Sequence, residues 1–205
     1  MTHLKPSDPP GKRLILVEAA AEVFARQGFT ATRVSDIARC AGVGKGTVYE
    51  YFSSKEELFF AVFEWFNQQI RSRVESVLDP SSTAKDVLMA LLRSSAEIVS
   101  EHREIFSMNL DFWAASRGSA FEDRFSTACR TMYQEYRGLT AEVIRRGQRD
   151  GNFRPELDAD LLATLVVSAL DGLGVQSWID PTVDPVPATD VFADALCHGL
   201  CREDS

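Results

Sequence analysis

The sequence predicts an all-α protein of about nine helices, a three-helix N-terminal unit followed by a longer helical body. Three observations carry this. Apolar residues recur at three-and-four spacing through most of the chain, and no stretch alternates as a strand does. Glycine or proline stands where the apolar stripes stop, and Ser, Thr or Gly stands before several of them. No repeat or low-complexity tract interrupts the pattern.

The first stripe, over 13–28, holds Leu14, Val17, Ala20, Ala21, Phe24 and Ala25, and Gly28 is placed to end it. Thr32 is placed to cap a second helix, RVSDIARCA, with Val34, Ile37, Ala38 and Ala41 facing inward and Gly42 closing it. Gly44 takes the cap position before a short helix over 46–52. Ser54 and Glu57 have the spacing of a capping box, and the long helix they open runs to about residue 78. It carries Phe59, Phe60, Phe63, Trp65 and Phe66, and Pro80 ends it. Helical patterns follow over 83–100, 103–115 and 119–149, the last with Phe121, Phe125, Ala128, Met132, Tyr136, Leu139 and Val143. RDGNFRP breaks that pattern. A strongly apolar helix over 158–178, the proline-rich connector DPTVDPVPATD and a final helix over 189–202 complete the chain.

Composition narrows the class. Of 205 residues, 45% are hydrophobic and 25% charged, which is ordinary for a soluble domain. No uninterrupted apolar run approaches the roughly 18 residues of a membrane span. The first eleven residues, MTHLKPSDPPG, lack a signal-peptide h-region and read as a disordered arm, so a cytoplasmic location is expected. Net charge is −8, unfavourable to nucleic acid when averaged over the chain. Residues 1–53, however, hold seven Lys or Arg against five acids, while the remainder holds fifteen against twenty-five. The charge asymmetry permits a DNA-compatible head, residues 1–53, on an acidic body, residues 54–205.

Two helices joined by AGVGKG have helix-turn-helix layout, in which the second helix enters the major groove. Lys45 and the amides at the start of that helix suit phosphate. Thr47, Tyr49 and Tyr51 offer hydroxyls for phosphate or base edges, and Val48 and Phe52 face inward. Packing is the other reading of Tyr49 and Tyr51, since aromatics at helical spacing also build cores.

From Ile15 to Phe63 the chain, ILVEAAAEVFARQGFTATRVSDIARCAGVGKGTVYEYFSSKEELFFAVF, resembles the tetracycline-repressor (TetR) family of bacterial regulators. GFTATRV, DIA, AGV, KGTVYEYF and SKEELF occur in order at the family spacing. The resemblance implies DNA contacts at Thr32, Arg33, Lys45, Gly46, Thr47, Tyr49, Tyr51 and Lys55; for Lys55 a solvated charge is the alternative. Arg33 stands in place of a frequent small hydroxyl residue, Gly44 in place of a serine cap. Glu50 occupies a position where neutral or basic residues are common. It either accepts from a cytosine amino group or points away from phosphate.

One such head binds DNA weakly, so a symmetric dimer on a palindromic site is expected. LLATLVVSALDGLGV is apolar nearly all round and so needs cover on every side. The candidate interface comprises Leu165, Leu170 and Leu173 with Val191, Phe192, Ala195, Leu196 and Gly199; burial within one chain is the alternative. The resemblance further implies a ligand pocket in the middle helices, with candidate lining residues Trp65, Phe66, Phe106, Asn109, Phe112, Trp113, Met132, Tyr136 and Trp178. Their aromatic density favours a small apolar or aromatic effector, and repression is the family's commoner mode.

Other classes are poorer fits. No nucleophile–base pairing or metal cluster is visible, and GVGKGT lacks P-loop order and a preceding strand, so neither enzyme activity nor a cofactor is expected. A helical protein-interaction module without DNA binding, or a redox-responsive regulator using Cys197 and Cys201, are the alternatives. CHGLC offers too few soft ligands in sequence range for a zinc site.

Overall fold

The computed structural model describes residues 11–79 and 81–201, and of Ile105 and Phe106 the backbone alone. The expected arm, apart from Gly11, therefore lies outside the described residues, as does Pro80. Among the described residues there are nine helices and no strand. They are α1 (Lys12–Ala31), α2 (Val34–Cys40), α3 (Lys45–Tyr51), α4 (Lys55–Val77), α5 (Ala84–Glu101), α6 (Glu104–Ser116), α7 (Ala120–Arg149), α8 (Ala159–Ile179) and α9 (Pro185–Leu200).

Local chemistry explains the boundaries, including two that the sequence misplaced. Gly28, at φ 76° and ψ 165°, breaks the helical backbone near the end of α1 in a positive-φ conformation that glycine adopts readily. Thr32 is not the cap of α2. Its hydroxyl donates to the Gly28 carbonyl at 2.6 Å, and the cap position falls to Arg33, whose side chain makes no capping bond. The Ser54 hydroxyl accepts the Glu57 amide at 3.2 Å, as half of a capping box. The Glu57 carboxylate instead accepts from Arg124, at 2.6 Å. The final helix starts earlier than 189 because Asp184 accepts the Val186 amide at 3.1 Å and Pro185 sits in the first turn, where a missing N–H costs nothing. Part of the proline-rich connector is thus helix.

The chain forms two compact units, residues 1–67 with 107–125, and residues 68–106 with 126–205. The units divide within α4, and aromatic packing is the reason. Phe59 stacks on Phe112 at 3.8 Å with a 4° tilt, and Phe24, Phe29, Phe60 and Phe125 surround that pair at 4.7–6.4 Å. Each such pair adds about 0.5–1.5 kcal/mol beyond the area it buries. That cluster joins the start of α4, most of α6 and the first turn of α7 to α1–α3.

In the second unit α5 packs on α8 and α9 around Leu88, Leu92, Ile144, Phe153, Val166, Cys197 and Leu200. Phe153 lies against Gly147, where an added Cβ would come within 2.2 Å of the ring. The Arg154 amide donates to the Leu200 carbonyl at 2.9 Å, so the turn after α7 is fastened to the end of α9. Among the described helices α8 alone is long and apolar enough to cross a membrane, by length and composition. Thr164, Ser168 and Asp171 interrupt it, which is why no continuous apolar run marks it in the sequence. Only 22% of its apolar window is buried.

Candidate nucleic-acid interface

The α2–α3 junction is built from backbone geometry. Gly42, at φ 68°, ends α2 in a Schellman arrangement: the Val43 amide donates to Ala38 O at 2.9 Å and the Gly42 amide to Arg39 O at 3.2 Å. Gly44 is extended (φ −74°, ψ 149°) and its carbonyl accepts the Thr47 amide at 3.0 Å, opening α3 without a side-chain cap. Val48 and Phe52 are buried and hold the helix down, and the Arg13 guanidinium lies over the Phe52 ring at 5.1 Å. A short helix with so few internal hydrogen bonds depends on such anchoring.

The opposite face is open. Lys45, Gly46, Tyr49 and Glu50 are exposed, Thr47 and Tyr51 half-buried. Tyr49 is 47% exposed, and the Lys45 ammonium sits 5.7 Å from its ring centre. An exposed tyrosine held beside a lysine is poor core material and good groove material, so of the two readings of Tyr49 packing is the weaker. Arg33 is also exposed, at the start of α2. Glu50 is exposed on α3 as well, five residues after Lys45.

Two of the expected DNA contacts have other duties here. Thr32 is buried, and its hydroxyl is occupied by Gly28 O. Lys55 is half-buried; its ammonium donates to the carbonyls of Phe29 at 2.7 Å, Thr32 at 3.0 Å and Thr30 at 3.4 Å, and lies 4.3 Å from the Phe29 ring centre. Burial pushes its pKa down, with Glu56 and Asp111 pulling the other way. It is a clamp on the α1–α2 turn. Neither side chain is turned outward here, and a solvated charge does not describe Lys55. Sequence reading also missed Asp111 and Arg124 of the same unit, which meet Thr30 and Glu57 across 81 and 67 residues of chain and carry no local signature.

The pocket candidates fall in both units. Phe112 is a core ring, fully buried against Phe59. Trp65 and Phe66 are half-buried, and Trp113 is 52% exposed. Asn109 has a buried Oδ1 without a hydrogen-bond partner, which suits an acceptor awaiting a donor. In the second unit Met132 and Tyr136 are half-buried, burial raises the Tyr136 pKa, and Trp178 is exposed. The side chain of Phe106 lies outside the described residues.

The interface candidates divide by exposure. Leu165 (65%), Val191 (72%), Ala195 and Gly199 are exposed, as are Leu161 and Ile179. Leu170, Phe192 and Leu196 pack partly on the core of the second unit, and Leu173 is half-buried. Among the described residues, Leu161, Leu165 and Ile179 of α8 are left uncovered by the chain's own packing. Cys197 is buried and unpaired, Cys201 half-buried and unpaired, and burial raises the Cys197 pKa, against the thiolate a redox switch needs.

Comparison with known proteins agrees with this geometry. The family described as bacterial regulatory proteins, tetR family, matches residues 16–62, and the BetI-type transcriptional repressor C-terminal family matches residues 84–200. The HTH-type transcriptional repressor KstR2 of Mycolicibacterium smegmatis is 32% identical over 157 residues, covering 77% of this chain and 75% of its own. The fatty acid metabolism regulator protein of Bacillus subtilis is 26% identical over 192 residues, covering 92% and 95%. A TetR transcriptional regulator from Chloroflexus aurantiacus has the same fold, with a TM-score of 0.79, 25% identity, and coverage of 94% and 97%. Members of this family regulate transcription by binding DNA and are not enzymes. An open reading helix anchored on an aromatic core, and family matches over both the head and the body, lead to one assignment: the chain belongs to the TetR family of transcriptional regulators.

Proposed function

We propose that the protein is a repressor that reads a palindromic operator as a homodimer in the cytoplasm and leaves it when a small apolar or aromatic effector binds. The observation that carries the DNA half is the open face of α3, where Lys45 and Tyr49 stand exposed above buried Val48. Arg33 and Lys45 neutralise phosphate, the Gly46 amide approaches it closely, and Thr47, Tyr49 and Tyr51 meet the groove. Thr32 and Lys55 support the reading helices from behind. Glu50, in this reading, keeps α3 from settling on random phosphate.

The dimer half rests on the uncovered apolar residues of α8 and α9, Leu161, Leu165, Ile179 and Val191. A two-fold axis through such a face makes it cover itself. The effector half rests on the half-buried Trp65 and Phe66 and on the unsatisfied Asn109 carbonyl, all within the first unit. It draws support from a relative named as a fatty acid metabolism regulator. Effector binding favours a body conformation that moves α4 and respaces the two heads, a population shift.

Electrophoretic mobility shift with the DNA upstream of its own gene, and selection from random duplexes, test the reading. A sequence-selective complex that weakens with salt and is dissolved by an apolar small molecule supports it. Absence of any selective complex at low salt overturns it.

A further inference from the structure

The turn from Gly28 to Thr32 is gripped from two sides by opposite charges. On one side, Asp111 of α6 takes two bonds from a single residue: the Thr30 amide reaches its Oδ2 at 2.8 Å and the Thr30 hydroxyl its Oδ1 at 3.0 Å. On the other, the Lys55 ammonium collects the carbonyls of Phe29, Thr30 and Thr32. Asp111 also attracts Lys55, since it favours the charged form of that ammonium. Gly28 makes the grip possible, because a Cβ there would stand 2.9 Å from Asp111 Oδ2.

We propose that Asp111 is a positioning residue for operator recognition, acting through Thr30 on the start of α2. This rests on the operator-binding reading above. Thr32 leads directly into Arg33, the exposed, extended residue at the cap position of α2, whose own side chain makes no capping bond. A seven-residue helix with an uncapped start does not fix its own entry angle. The turn fixes it, and the turn is fixed by groups outside it. Bonds to an ionised carboxylate are short and strong, and two on one residue define an orientation as well as a distance. Asp111 lies beyond the 16–62 stretch that the head family covers, so α6 sets a property of the DNA reader. Displacing α6 by the length of one hydrogen bond would free the turn and with it Arg33.

The test uses full-length protein and a duplex that the wild type selects from a random pool. Asp111→Ala, Thr30→Ala, the double variant and Asp111→Asn are compared for affinity to that duplex and to a scrambled one, with circular dichroism melts run alongside. Asp111→Ala is expected to lose about tenfold for the selected duplex in a protein still folded at assay temperature, with the scrambled duplex unaffected. The double variant should be no weaker than Asp111→Ala, since both act through one pairing. Asp111→Asn, which keeps an acceptor, should recover part of the loss. A folded Asp111→Ala or Asp111→Asn with wild-type selectivity within twofold overturns the proposal while leaving operator binding intact; so does a lower melting temperature without loss of selectivity. Failure of the wild type to select any duplex overturns the operator reading itself.

Discussion

Truncating Leu165 and Val191 to alanine should separate the protomers without unfolding them. The two side chains are 65% and 72% exposed in the single chain, so little of either is used for folding. Full burial of a leucine or valine contributes about 1.5–3 kcal/mol, and covering two-thirds of one contributes about 1–2 kcal/mol. Alanine forfeits roughly 1 kcal/mol of that per copy. A two-fold interface loses each side chain twice, so each single variant weakens the dimer by about 2 kcal/mol and the double variant by about 4 kcal/mol if the sites are independent. The last figure is roughly a thousandfold in dissociation constant. Sedimentation equilibrium across a concentration series measures this directly, and thermal melts of the monomeric fraction check the fold. Unchanged association in the double variant would refute the interface. A double variant that unfolds as a monomer would show instead that these residues belong to the core.

Three further outcomes are expected. Substituting Lys45 and Tyr49 together should abolish the selective DNA complex with the melting temperature unchanged, and Lys45→Ala alone should reduce the salt slope by about one for each phosphate left without its cation. Gly147→Ala should destabilise the second unit by about 1–3 kcal/mol, because the new methyl would overlap the Phe153 ring; urea titration reads this, and a wild-type midpoint would show that the ring can move aside. Asp171→Asn should raise stability at neutral pH. Burial raises the Asp171 pKa, with a smaller opposing effect from the Tyr133 hydrogen bond, so the folded state binds its proton more tightly than the unfolded state does. The resulting penalty is present above the folded pKa and vanishes below the ordinary aspartate value, so the gain from Asn should fade as pH drops through that range. A gain that does not change with pH would place its origin in packing.

The sequence made legible whatever depends on neighbours along the chain. Gly28, Gly42 and Gly44 mark the ends and starts where a left-handed or extended residue is needed, and the reading helix follows from them. Val48 and Phe52 were assigned inward by spacing alone, and they are buried. The start of α9 was hidden because two prolines read as a connector, although Pro185 in a first turn capped by Asp184 is ordinary helix chemistry. The contacts of Thr32 and Lys55 were hidden for a different reason. Their positions fit a DNA-facing role, but the carbonyls around Lys55 become its neighbours only when α1 and α4 pack together, and the Thr32 hydroxyl reaches Gly28 O, four residues back, across the break in the helical backbone at Gly28. Asp111 had no local signal at all, since its partner is 81 residues away.

The bare α8–α9 face also has a consequence for gene dosage. If the DNA-competent form is a pair, its amount at low abundance rises with the square of the chain concentration. A few additional copies per cell then tighten control disproportionately, and dilution at cell division loosens it. Controlled promoters would therefore respond steeply to the regulator's own expression level, even in the absence of any effector.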